Sequence, residues 1–501
     1  MQYSSYQEAI FNHVKNSSKN LMIIAYAGCA KTTSIVKAID YTRPPVEKKP
    51  KGKYPAQNKL FMAFGKKIAD ELKNRVPKSC AVRTCHSYGY AALRYNWGNP
   101  EVDNTRNYWI VDKVVGEDYV HSQTLLKLVS LAKCDALSSH SFDEEFYSII
   151  DEFALRLETK EEEQKLITYC KKVLELTLVQ DKCVSYDDMI YIPAMLGFQA
   201  GKYEYIFVDE TQDLNKCQLK LIRQAKKHGT KFVFCGDPNQ AIFAFRKADM
   251  KSIPNIIKEF NCEVLTLPVT YRCGKKIVEL AKKYVPDYIA HETNEEGTIN
   301  NILSREQLLD EVDVGDFVLS RKNAPLMKLC LSTLANGKPA IVAGKDIGEG
   351  LIKIVKKSKE KSMPAFIKWL NTWKLEEEKK CNEEAEENPS TKEKPDEQSK
   401  SVLAQKLENI QDKFDCIMAL SDDVFTVEQM LNKLETIFAD TDDNLKTKIV
   451  YSSVHKAKGL EADKVWVLQS TLKETNQEEK NICYVAYTRA KKVLNIVGDK
   501  F

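Results

Sequence analysis

Short runs of β-branched and aromatic residues, each closing on polar residues and followed by a helical pattern, constrain the fold of this chain more than any other feature. They are LMIIAY at 21–26, KLFMAF at 59–64, YIFVD at 205–209, KFVFCGD at 231–237, DFVLSR at 316–321, KIVYSS at 448–453 and KVWVLQ at 464–469. Buried strands that alternate with helices imply parallel α/β sheets. Ligands of such sheets sit at the carboxyl ends of the strands, which is where the polar residues fall.

Two stretches depart from the alternation. Between about 90 and 185 the pattern is helical, as in SQTLLKLVSLAKCDAL and EEEQKLITYCKKVLELTL, and reads as an insertion in the first α/β domain. The tract KLEEEKKCNEEAEENPSTKEKPDEQSK at 374–400 has no aromatic residue and is mostly charged or polar, so a solvated helix end running into a mobile loop is expected. A second mobile loop is expected in the Pro- and Lys-rich segment RPPVEKKPKGKYPAQN at 43–58.

At 501 residues the chain exceeds a single hydrophobic core, and its 43% hydrophobic content suffices for several. No apolar run approaches the roughly 20 residues of a membrane span. The N-terminus lacks a basic-then-apolar signal pattern, so a soluble, cytoplasmic protein is expected. Fourteen cysteines without a CxxC pair suggest neither a zinc site nor a disulfide framework. A net charge of +4 is only mildly basic, so any nucleic-acid site must be a local groove.

The run LMIIAY leads into AGCAKTTSIVKAI, where a loop of Ala27, Gly28, Cys29 and Ala30 delivers Lys31, Thr32 and Thr33 to a helix start. Backbone N–H groups at such a turn cradle phosphate, while Lys31 would reach the β and γ phosphates and Thr32 would hold Mg²⁺. Ala30 occupies the second glycine position of the usual GxxxxGK[ST] pattern. Downstream, YEYIFVDETQD places Asp209 and Glu210 at a strand end. Adjacent carboxylates there repel unless a cation or proton intervenes, which suits Asp209 to Mg²⁺ and Glu210 to polarising an attacking water.

These residues resemble the UvrD/Rep/PcrA-like superfamily 1A DNA helicases, with motifs in the family order from Gln7 to Arg489. YQEAI at 6–10 looks like the Q motif and AYAGCAKTT like the Walker A loop. AFGKKIADELKNR is similar to the AFTNKAA-type motif, RTCHSYGYAAL to the TxH motif and DETQD to the Walker B motif. GDPNQAIFAFRKAD, LPVTYRCGKKI, VHKAKGLEADKV and CYVAYTRAKKVL are similar to the GDxxQSIYxWRGA, NYRS, HxAKGLE and YVAxTRA motifs. SYDDM and VLSRKNAPL also look family-like.

The resemblance implies two RecA-like parallel-sheet domains forming an ATP cleft, each with a mainly helical insertion. The first domain would comprise 1–92 and 183–262 with an insertion at 93–182, and the second 263–349 and 445–501 with an insertion at 350–444. It also implies site roles. Gln7 and Tyr271 would contact adenine, Glu461 the ribose and Gln240 the γ-phosphate, while Arg272 and Arg489 would act as arginine fingers. Single-stranded DNA would lie on Phe64, Lys66, Lys67, Thr84, His86, Phe243, Phe245, Arg246 and His455. Thr33 stands where several members carry an adenine-sandwiching arginine, which points to relaxed base discrimination.

The expected activity is that of an ATP-dependent DNA helicase or translocase using ATP and Mg²⁺, moving 3′ to 5′ and unwinding duplexes in replication, repair or recombination. Its expected partners are single strands, single/double-strand junctions and replication or repair proteins. A monomer is expected, bacterial or phage- or virus-encoded. The competing readings are a nucleic-acid-binding scaffold with weak ATPase and an RNA helicase.

Overall fold

The computed structural model describes residues 3–44, 57–116, 119–153, 155–157, 159–242, 252–302, 304–386, 397–421, 424–438 and 446–498. The expected loop at 43–58 and the middle of the charged tract at 374–400 therefore lie largely outside the described residues. The chain divides into two compact units, Met1–Pro268 and Val269–Phe501.

The first unit is built on a parallel sheet of β1 (Leu21–Ala25), β2 (Lys59–Met62), β3 (Cys80–Arg83), β4 (Tyr203–Val208), β5 (Lys226–Gly236) and β6 (Glu263–Leu267). Its spatial order is β3-β2-β4-β5-β1-β6. The interior strands are buried on both faces, as Leu21, Met22, Ile23, Leu60, Phe61, Ile206, Phe207, Val233 and Phe234 attest. This is why they read as continuous apolar runs rather than alternating ones. The sheet extends past residue 262, because Glu263–Leu267 pairs in register with β1 from Leu21↔Glu263 to Ala25↔Leu267.

Helices between β3 and β4 complete this unit. They include Cys85–Trp97, Arg106–Val115, Ser122–Cys134, Asp143–Glu152, Lys160–Thr177 and Tyr186–Leu196. One apolar core joins them to the sheet, with Met22, Leu60, Ile206 and Val208 continuous with Leu128, Phe146, Ile167 and Tyr191. A buried ion network stitches the helices together: Asp188 accepts from Arg106 at 2.8 Å and from Lys133 at 2.7 Å.

The second unit repeats the architecture. Its parallel sheet comprises β7 (Thr298–Ile302), β8 (Phe317–Ser320), β9 (Ala340–Val342), β10 (Ile449–Ser453), β11 (Ala462–Leu468) and β12 (Ala490–Val497), ordered β7-β12-β11-β8-β10-β9. Helices Lys345–Lys357, Met363–Glu386, Glu397–Ser421 and Val427–Ile437 separate β9 from β10. Val355, Phe366, Ile417 and Met430 share a core with sheet residues Val318, Ile449 and Trp466. The fold is thus α/β with two parallel sheets. No described helix is long and apolar enough to cross a membrane.

Candidate nucleotide site and strand-binding residues

Three interior strands of the first sheet, β1, β5 and β4, lie side by side and end at the same edge. The turn after β1 is compact, with the Cys29 N–H donating to the Tyr26 carbonyl at 3.3 Å. Gly28 (φ 68°) and Ala30 (φ 55°, ψ 39°) adopt left-handed conformations. Ala30 is the residue before helix Lys31–Ala38, so the departure from glycine falls where a Cβ is costly. That geometry leaves the first helical N–H groups facing the loop, as an anion cradle needs.

Lys31 and Thr32, on the first turn of that helix, meet the carboxylates after β4. The Thr32 hydroxyl donates to Asp209 Oδ2 at 3.0 Å, and the Lys31 ammonium lies 3.2 Å from Glu210 Oε1. Glu210 is itself left-handed (φ 51°), which turns its side chain back toward Lys31. Its own N–H donates to Asp209 Oδ1 at 2.9 Å. Burial pushes the Asp209 carboxyl up to about 6, the Glu210 charge adds to this, and Lys31 opposes it. Burial alone would disfavour the Lys31 ammonium, but Glu210, Asp237 and Asp209 outweigh it and hold its pKa above the ordinary lysine value.

The carboxyl end of β5 supplies the rest of the edge. Gln240 donates to Asp237 Oδ2 at 2.7 Å, and Gln212 bridges the two strand ends by donating to Glu210 and accepting from the Asp237 N–H at 3.0 Å. Asp237 and Gln212 were not singled out from the sequence, although both lie inside recognised motifs. Asp237 is fully buried and its carboxyl is raised by that burial, with Lys31 opposing.

Gln7, on helix Ser5–Asn16, is tied to the loop after β1. Its side chain completes a capping box with Ser4, and its amide donates to Ser34 Oγ at 2.9 Å. Ser34 in turn donates to the Ala30 carbonyl at 2.9 Å, so the Q-motif helix is tied to the loop through a serine that carried no signal of its own. Thr33 is exposed on the same helix.

The second unit holds Tyr271, Arg272, Glu461 and Arg489. Arg272 pairs with Glu461 and donates to the Thr488 carbonyl at 3.4 Å. Lys491 also pairs with Glu461, at 2.9 Å. Arg489 is 1% exposed, and its guanidinium donates to the carbonyls of Val485 (2.9 Å) and Leu460 (3.1 Å) and to Thr488 Oγ1 (3.2 Å). Burial and the neighbouring Arg272 push it down to about 10, so it remains charged at neutral pH. Tyr271 is partly exposed, with its ring 4.7 Å from that of His291.

Of the expected strand-binding residues, Phe64 is 44% exposed just after β2, and Lys66 and Lys67 are exposed at the start of the next helix. Thr84 caps helix Cys85–Trp97 by accepting from the Ser87 N–H at 3.1 Å. His86 packs edge-on against Tyr186, and burial lowers its pKa, with Asp187 opposing. Phe64 and His86 line one cavity of about 320 Å³ that reaches Asp209 and Asp213. His455 is partly buried on the short helix after β10. Phe243, Phe245 and Arg246 lie outside the described residues.

Asp209 with Thr32 offers one carboxylate and one hydroxyl, and no group of three or more His, Cys, Asp or Glu among the described residues could hold a metal by protein ligands alone. That donor set fits Mg²⁺, which usually takes one or two carboxylates and fills its remaining positions with substrate phosphates and water.

Comparison with known proteins agrees with this geometry. Residues 6–261 match the model of the UvrD/REP helicase N-terminal domain, and residues 448–497 that of the UvrD-like helicase C-terminal domain. The ATP-dependent DNA helicase PcrA of Staphylococcus aureus is 26% identical over 310 residues, 55% of this chain and 40% of the relative. The Staphylococcus epidermidis protein of the same name is 25% identical over 297 residues, 54% and 38% respectively. The aligned region thus spans well under half the length of these relatives.

Proposed function

This chain belongs to the UvrD/REP helicase family, and from that premise we propose that it hydrolyses ATP to move along single-stranded DNA, 3′ to 5′, and to unwind duplexes. The observation that carries the proposal is the single sheet edge on which Lys31, Thr32, Asp209, Glu210, Asp237 and Gln240 converge. A scaffold that merely binds nucleic acid has no use for a buried lysine held charged by three carboxylates.

In this reading the loop from Ala27 to Thr33 cradles the triphosphate and Lys31 neutralises its β and γ oxygens. Glu210 takes the proton of the attacking water, Gln240 contacts the γ-phosphate, and Arg272 and Arg489 neutralise charge on the transferring phosphoryl group. Thr32 and Asp209 would hold Mg²⁺, which when bound draws charge from the phosphate oxygens. Tyr271, Gln7 and Glu461 contact the nucleoside. Phe64, His86, Thr84, Lys66 and His455, with Phe243, Phe245 and Arg246, hold the strand by stacking and backbone contacts. A monomer acting in a bacterial cytoplasm, or in the host cell if virus-encoded, suits this role in replication, repair or recombination.

The test is steady-state ATP hydrolysis with and without single-stranded DNA, repeated with RNA, beside Lys31→Ala and Glu210→Gln. Glu210→Gln is expected to lose roughly 10² to 10⁴ in turnover while still binding nucleotide. DNA stimulation abolished by both substitutions supports the motor. Tight strand binding without turnover would leave the scaffold reading, and stimulation by RNA alone would make the chain an RNA translocase.

A further inference from the structure

The side-chain amide of Gln7 is held in one orientation by two partners of fixed character. An amide has an acceptor at one end and donors at the other, in nearly the same shape. The Ser4 backbone N–H lies 3.1 Å from Oε1 and has only a hydrogen to give, so the amide oxygen must face it. At the other end Ser34 Oγ lies 2.9 Å from Nε2. The hydroxyl hydrogen of Ser34 goes to the Ala30 carbonyl, also at 2.9 Å, which leaves Ser34 to accept from Gln7 and requires the amide nitrogen there. Both constraints give the same orientation, and a flip would break both bonds.

What this locked amide has left for a ligand follows from its valences. Oε1 accepts from the Ser4 N–H and, at 3.5 Å, from the Ser4 hydroxyl, which engages both of its lone pairs. Nε2 carries two hydrogens and gives one to Ser34, so one N–H remains. Adenine and guanine differ in the N6 amino donor of the one and the O6 acceptor of the other, and an amide reads the amino group with its oxygen. A single N–H placed on N7 addresses an acceptor that both purines share and that no pyrimidine has.

The neighbouring residues add no second discriminator. Thr33, exposed on the helix that carries Ser34, has neither a ring nor a charge, and stacking on an aromatic ring such as that of Tyr271 tolerates every base. Gln7 itself is buried, so a base without an acceptor at N7 leaves its N–H unpaired with little water to replace the bond. We propose that the nucleotide site takes purine nucleoside triphosphates as a class, ATP and GTP alike, and that the remaining N–H of Gln7 selects N7 against the pyrimidines. The assignment rests on the contact between Gln7 and the nucleoside proposed above, and not on movement along DNA.

The experiment compares ATP, GTP, CTP, UTP and 7-deaza-ATP, in which a C–H replaces N7, on the full chain. Affinity is read by displacement of a fluorescent nucleotide, and turnover is measured in parallel with single-stranded DNA. GTP should bind within about threefold of ATP, whereas CTP, UTP and 7-deaza-ATP should each bind about tenfold or more weakly, as one unpaired buried N–H implies. Gln7→Met, of similar length but without a donor, should abolish the difference between ATP and 7-deaza-ATP. A preference for ATP over GTP as large as that over UTP overturns the proposal. Binding of 7-deaza-ATP or UTP by the wild type as tight as that of ATP also overturns it, and neither comparison needs a variant that folds. Absent turnover with this order of affinities intact counts against the motor reading alone.

Discussion

At the scale of single residues, the loop after β1 shows how an unusual sequence and a left-handed backbone coexist. Ala30 holds a left-handed conformation that costs an L-residue roughly 1–2 kcal/mol, and its carbonyl is anchored by Ser34, which Gln7 holds in turn. Ala30→Gly should therefore stabilise the first unit by about 1 kcal/mol, read as a higher denaturant midpoint at unchanged slope; a lower midpoint would show the loop to be unstrained. The adjacency of Lys31 to Thr32 and of Asp209 to Glu210 was legible because each pair sits at a strand-to-helix or strand-to-turn junction. Their mutual contacts join positions nearly two hundred residues apart and were not legible. Arg489 is the clearest case: the motif named the residue, but only packing placed its guanidinium among the carbonyls of Val485 and Leu460.

At the scale of elements, helices Cys85–Trp97 and Tyr186–Leu196 approach so closely that a Cβ on Gly89 would lie 1.9 Å from the Met189 carbonyl oxygen. Backbone cannot yield as a flexible side chain does, so Gly89→Ala is expected to cost about 1–3 kcal/mol, measured by chemical denaturation. It would also shift His86, on the same helix, and weaken single-strand binding. The Asp188 network makes the same helices acid-sensitive. Burial opposes the Asp188 charge, but Lys133 and Arg106 prevail and hold its pKa below the ordinary carboxylate value. The stabilisation is therefore complete above the unfolded-state pKa and is lost as pH falls through the lower folded-state value. Asp188→Ala, which strands two buried cations, should cost about 3–5 kcal/mol at neutral pH. In acid the gap to wild type should narrow, and a gap independent of pH would refute the linkage.

The strands that the apolar runs identified are all interior to their sheets. The edges β3, β6, β7 and β9 were not among them. Edge strands here are short or expose polar residues, as in Thr298–Ile302, and one-sided burial leaves a weaker hydrophobic signature than the continuous runs of β1 or β4.

At the scale of the whole molecule, the roles proposed for the residues of the second unit rest on the family resemblance of their motifs. Arg272→Ala should reduce DNA-stimulated turnover by about 10³ or more with little change in nucleotide affinity, compared by turnover assay and fluorescent-nucleotide titration. Equal losses in turnover and affinity would assign Arg272 to nucleotide binding through its neighbour Glu461 instead.

The amino-acid sequence by itself determined the fold class and the family, and it marked the two candidate strand-end motifs, because each depends on local order: strand, turn and helix within about a dozen residues. Tertiary structure alone decided which side chains meet across the sheet edge and which arginine is buried. It also decided that Glu263–Leu267 closes the first sheet. These outcomes depend on burial and on contacts between distant segments, which no window of sequence contains.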